Sequence, residues 1–219
     1  MSAVFVMGSD YPACHLQWWR DARYSKDVPE INAPSDFLRA LDSLKDHRFR
    51  PELHVTQIPP PKRIAPWAVA LQAEVNDSRD LDPDTYRGNA KFVLLYDPEG
   101  QPAWDGQFRI VAFVSAPAES DVADDPLLGE VAWSWLAEAL RNRGAPFHNL
   151  TGTVTRIYNE TFGGLTLSTS RTEIEIRASW SPDVPDVAAH LLAWADFAAA
   201  ACGLGPVGVA ALPPRFEAA

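Results

Sequence analysis

The sequence predicts an α+β fold: one antiparallel sheet of about six strands with helices packed on it, in the order α-β-β-β-β-α-β-β-α. Three observations carry this expectation. Residues 172–180 alternate cleanly, with Ile174, Ile176, Ala178 and Trp180 on one side and Glu173, Glu175, Arg177 and Ser179 on the other. That is the pattern of an antiparallel strand with one wet face. Residues 92–97 (FVLLYD) and 108–115 (FRIVAFVS) are apolar runs joined by DPEGQP, whose Pro98 and Gly100 suit a chain reversal. Strands arrive in runs, with helical segments before, between and after them, which is the order of an α+β domain.

The elements follow in sequence. Residues 1–33 have no periodicity and mix Trp18-Trp19 with turn residues and scattered charges. They read as an irregular or disordered extension, with a docking segment led by the two tryptophans as the sharper alternative. Ser35 or Asp36 is placed to cap a first helix whose apolar face is Phe37, Leu38, Leu41 and Leu44. Arg50-Pro51 ends that helix, because a residue before proline is pushed out of the α region. Residues 52–58 make a short strand, and IPPPKR a stiff connector. Residues 67–76 alternate with period two and form the next strand. The hairpin arms at 92–97 and 108–115 are apolar on both sides, so both faces are expected to be covered at least in part.

Asp125 is placed to cap a second helix, with Pro126 in its first turn and Gly144 after its end. Glu130, Ser134, Glu138 and Arg141 make one narrow polar stripe along it. Trp133 and Trp135 point to nearly opposite sides, so a second layer or a partner subunit is expected to cover one of them. Residues 150–162 and 172–180 form a second hairpin, Thr151, Thr153 and Thr155 lying on its wet face. A last helix runs to Cys202 with Val187, Leu191, Trp194, Ala198 and Ala201 as its core stripe, and Gly203 ends it. The expected organisation is an extension over 1–33, a single α+β domain over 34–204 and a loose tail over 205–219.

Of 219 residues, 47% are hydrophobic, which excludes a wholly disordered chain. With 29 acidic against 19 basic residues the net charge is −10, which disfavours nucleic-acid backbone and anionic membrane surfaces as partners. The two cysteines, Cys14 and Cys202, stand far apart and outside any metal spacing, and no leader-like or membrane-spanning run is seen. A reduced cytoplasmic setting without cofactor is the expectation.

Candidate motifs mostly read as structure. Gly203-Leu-Gly205-Pro-Val-Gly208 matches a dinucleotide fingerprint as a string, but it follows a helix where the site needs a strand before it. Asp80, Asp82 and Asp84 start like a calcium loop, yet Thr85 replaces the required glycine and Lys91 the bidentate glutamate. His15, His47, His54, His148 and His190 never fall at metal-ligand spacing, and His190 reads as an edge residue of the last helix. The basic island Lys45, Arg48, Arg50, Lys62 and Arg63 lacks the interleaved aromatics of an RNA site. Two polar residues resist that account. Arg156 and Glu160 share a strand face with Val154, Tyr158 and Phe162, assigned here to the core side, and a buried arginine must be paired. Either a salt bridge or an anion-binding pocket follows, with Arg156, Tyr158 and Glu160 as its ligand-binding residues.

The segments IPPPKRIAPWAVALQAEV, FVLLYDPEGQPAWDGQFRIVAFV, DPLLGEVAWSWLAEAL, LTGTVTRIYNETFGGL and EIEIRASW together resemble an actinobacterial family, the domain-of-unknown-function family numbered 3000, over roughly residues 35–204. The resemblance implies no activity, cofactor or site residue. The element order also resembles small acidic secretion-chaperone folds, which pair as dimers. The leading expectation is a non-enzymatic protein-binding or chaperone-like homodimer with Trp133 and Trp135 at its partner surface. The alternatives are a small-molecule enzyme or sensor with a pocket at Arg156, and an accessory protein of RNA metabolism.

Overall fold

A computed structural model describes residues 33–77, 86–118, 124–159 and 172–205. Among these the order is α1 (Ser35–Ser43), β1 (Leu53–Ile58), β2 (Trp67–Asn76), β3 (Tyr86–Gln101), β4 (Gly106–Ala118), α2 (Leu128–Asn142), β5 (Phe147–Tyr158), β6 (Thr172–Pro182) and α3 (Ala188–Ala201). The α+β order read from the sequence is the one observed. All neighbouring strands pair antiparallel in the spatial order β1-β2-β3-β4-β6-β5. β5 and β1 are therefore the sheet edges, and the β4-to-β5 connection through α2 skips one strand position.

The helices cover one face of the sheet. α1 buries Phe37, Ala40 and Leu41, and Phe37 stacks on Tyr96 of β3 with ring centroids 5.8 Å apart. Its amino end differs from expectation: neither Ser35 nor Asp36 caps it, because the helix begins at Ser35 behind Pro34 and carries no side-chain cap. Its last residue, Ser43, accepts the Val187 amide through Oγ and so ties α1 to the start of α3. α3 is buried almost all round, with Trp194 and Phe197 fully enclosed. Each such side chain contributes roughly 1.5–3 kcal/mol through its apolar area. The His190 reading is overturned here: the ring is fully buried rather than at an edge. Polar type suggested exposure, but the half-exposed stripe of α3 runs through Leu192, Asp196 and Ala200, and His190 lies off it.

α2 also starts later than its signals implied. The Asp125 carboxylate takes the Leu127 amide at 2.8 Å, closing a turn just before the helix instead of capping it. The far ends follow the rule: Gly144 and Gly203 both have positive φ, and the Ala145 and Leu204 amides reach back to Leu140 and Ala199.

Among the described residues the opposite sheet face is covered only in part. Trp104, on the turn between β3 and β4, is buried with Ala68 and Leu95 as a small second core. This explains the doubly apolar stretch of β3, while Val111 of β4 remains exposed beyond the reach of that cap. Gly88, in β3 with φ 146°, is fixed by close approach. A Cβ there would lie 2.6 Å from both the Cys202 Sγ and the Ser115 carbonyl oxygen. Residues 14, 15, 80, 82, 84, 85, 160 and 162, named above on sequence grounds, lie outside the described residues, as do the Trp18-Trp19 pair and residues 206–208 of the glycine string.

Candidate functional site

Two polar constellations stand out, one at the β5 edge and one on the open face of the sheet. β5 turns Gly152 and Val154 toward the helices and Thr151, Thr153 and Thr155 toward solvent, as the alternation implied. Gly152 lies under the ring of Trp133: an added Cβ would stand 2.5 Å from Trp133 Cζ3 and 2.3 Å from the Arg177 carbonyl oxygen. Because one of those atoms is backbone, no rotamer change relieves the overlap. Gly152→Ala is therefore expected to cost about 1–3 kcal/mol, a fall in melting temperature of roughly 3–10 °C. Differential scanning calorimetry checks it.

Trp133 and Trp135 are both half-buried and packed against the core. The cover comes from within the chain: Trp133 reaches the edge strand, and Trp135 sits about 160° away around the helix, on the shoulder remote from β5. The buried stripe between them is Leu128, Ala132, Leu136, Ala139 and Leu140, and Ala137, on the far side of Trp133, is buried as well.

The assignment of Arg156 to the core side is correct in direction but not in depth. Arg156 faces the helices from the margin of the sheet and is only half-buried, and Tyr158 is 56% exposed. Arg156 donates from one Nη to the Asp125 carbonyl at 2.7 Å and the Pro126 carbonyl at 3.3 Å. It thus fastens β5 to the turn that opens α2, and among the described residues it meets backbone oxygens rather than a carboxylate. The expected burial is not reached because β5 is an edge strand, where the sheet no longer seals the face. Glu160 is outside the described residues.

The more enclosed arginine is Arg109 of β4, 7% exposed and on the open face. Its guanidinium donates to the Asn149 carbonyl (2.9 Å), Ser181 Oγ (3.2 Å), Thr151 Oγ1 (3.2 Å) and Ser179 Oγ (2.7 Å). Every one of these acceptors is neutral. Burial alone pushes its pKa down. Asn149 has φ 54° and lies in the register shift between His148 and Thr151. A bulge frees a carbonyl from the ladder, and Arg109 satisfies it.

The same corner holds the turn that carries Trp104. Asn149 Nδ2 donates to the Ala103 carbonyl, Ser181 Oγ to the Trp104 carbonyl, and His148 Nε2 meets the Asp105 carbonyl. His148 Nδ1 faces the Asp183 carboxylate, so both ring nitrogens point at acceptors. The hydrogen bond to Asp183 holds the His148 pKa above its ordinary value. Three successive backbone carbonyls are thus held by side chains of β5 and β6.

Deeper still, Trp180 Nε1 donates to His190 Nδ1 at 3.1 Å. An indole nitrogen only donates, so the neutral ring carries its proton on Nε2. That nitrogen and Trp194 Nε1 make no well-formed hydrogen bond. Burial pulls the His190 pKa down to about 4, with Asp183, Asp186 and the Pro146 carbonyl opposing it in smaller measure. Cys202 is buried beside β3, and burial pushes its thiol up to about 12, so it stays protonated at neutral pH.

Sequence reasoning missed Arg109 and His190. A signal existed for the first: a lone arginine within the apolar run FRIVAFVS has to be solvated by something. Among the described residues, no three His, Cys, Asp or Glu side chains gather in a metal-binding group. None of their helices is long and apolar enough to cross a membrane.

No curated protein and no solved structure matches the chain. Residues 33–210 match the family model described as protein of unknown function (DUF3000), so the chain belongs to that family.

Proposed function

We propose that the chain is a non-enzymatic, cytoplasmic protein-binding domain that acts as a homodimer. The observation that carries this reading is the contrast between the two sheet edges. β1 is six residues long and is followed by Pro59, Pro60, Pro61, Lys62 and Arg63, residues that discourage strand pairing. β5 is twelve residues long, pairs only with β6 among the described residues, and is uncharged from Asn149 to Thr155. A long, neutral edge is a template for another strand. Light scattering at micromolar concentration is expected to give twice the chain mass, and a strict monomer overturns the proposal.

A second reading rests on Arg156, whose charge meets carbonyls rather than a carboxylate among the described residues. In it, a small anion binds there, as a substrate or signal. Inorganic phosphate that raises the melting temperature of the wild type but not of Arg156→Gln supports this; an equal shift in both removes it.

A further inference from the structure

We infer that the partner of the β5 edge is the β5 edge of a second copy, with the two α2 helices antiparallel above it. This rests on the homodimer reading and specifies its interface. Helix geometry places the residues. At about 100° per residue, Trp133, Ala137, Glu130 and Arg141 all lie on one side of α2, displaced from the buried Leu136 by roughly 60°, 100°, 120° and 140°. Trp133 is the one that reaches β5 at Gly152, so this flank overhangs the sheet edge.

Glu130 and Arg141 are exposed, and neither forms an ion pair with another described residue. One lies in the first turn of α2 and the other in the last. A two-fold axis at the edge keeps both α2 helices on the same sheet face and runs them in opposite directions. It then sets Glu130 of each copy against Arg141 of the other, twice over. Ala137, small and already buried beside Trp133, lies between them and adds little bulk. Since α2 meets β5 through a residue on its shoulder, its axis lies inboard of the edge. The two helices then face each other across a strand pair spaced at about 4.8 Å.

The strands are compatible with the same axis. Antiparallel pairing near Thr153 opposes threonine to threonine on the open face, and the uncharged run keeps like charges of this acidic chain apart. The half-exposed flank of Trp133 becomes covered, whereas Trp135 stays outside the contact.

The test uses full-length protein in sedimentation equilibrium. Glu130→Arg and Arg141→Glu are each expected to weaken the dimer about tenfold or more, since each creates two like-charge contacts. The double exchange E130R/R141E is expected to restore the wild-type dissociation constant. Thr153→Lys, an exposed position, is expected to weaken the dimer with no change in far-ultraviolet circular dichroism. A dimer indifferent to Thr153→Lys and to both single reversals overturns this interface while leaving the homodimer reading intact. Loss in the single variants without rescue in the exchange overturns the antiparallel helix pairing. A wild-type monomer overturns both.

Discussion

Stability is expected to fall by about 3 kcal/mol as the pH drops from 6.5 to 4, through His190 alone, and His190→Asn is expected to remove that slope. His190 is fully buried and its folded-state pKa lies near 4, against an ordinary 6.5. The unfolded chain therefore takes up a proton that the folded chain refuses. The histidine's contribution is complete above pH 6.5, declines as the pH falls toward 4, and is flat below. Asparagine offers an oxygen where Nδ1 stood, so the Trp180 N–H keeps an acceptor while the titration disappears. His148 acts with the opposite sign. Its pKa is raised by Asp183, so its contribution is present below 6.5 and is lost as the pH rises through its folded-state pKa. Urea midpoints from pH 4.5 to 7.5 for wild type and His190→Asn isolate the buried ring from ordinary carboxylate titration. Parallel curves for the two proteins would sink the assignment.

His190 also marks where reading from sequence ran out. Element order and the wet face of β6 were legible because they are local: alternation and turn residues report them directly. The start of α2 after an Asp125 turn and the missing cap on α1 were blurred, since a capping-type residue fits several positions around a helix start. What alternation cannot report is how a face is closed. The doubly apolar arms of β3 and β4 implied cover on both sides, yet that the second cover is Trp104 folded back by its own turn depends on a long-range contact. Arg156 failed similarly: its facing was right, but its depth depends on β5 being an edge, a fact of strand order. Strand order follows from the α2 crossover, which period-two patterns do not encode. The two tryptophans demanded cover, and a single glycine, Gly152, supplies the seat for one of them.

Arg109→Met is expected to destabilise the protein by about 1–3 kcal/mol, chiefly at one corner of the sheet. Two effects oppose. Methionine removes a buried charge that burial already disfavours, and replacement of buried charges by apolar groups is often tolerated. Against that, four acceptors lose their donor. Three of these are hydroxyls that can turn to one another, as Thr151 and Ser179, 3.4 Å apart, already allow. The Asn149 carbonyl has no such freedom, because the bulge at positive φ holds it away from the ladder. Asn149 is itself exposed, so water replaces part of the lost donor and the carbonyl costs about 1 kcal/mol rather than roughly 3, to which the lost packing of the buried arginine stem adds. Loss therefore wins. It is also local: amide exchange is expected to accelerate at residues 147–151 and in the Trp104 turn, whose carbonyls Asn149, Ser181 and His148 hold. The β1–β2 pair, at the far side of the sheet, is expected to keep its protection. Arg109→Lys retains the charge but replaces a fork spanning two strands with a single point, and falls between. An Arg109→Met variant that melts with the wild type would mean the neutral oxygens do not need the guanidinium. Its positive charge would then have to be accounted for by something outside the fold, an anion at the open face of the sheet.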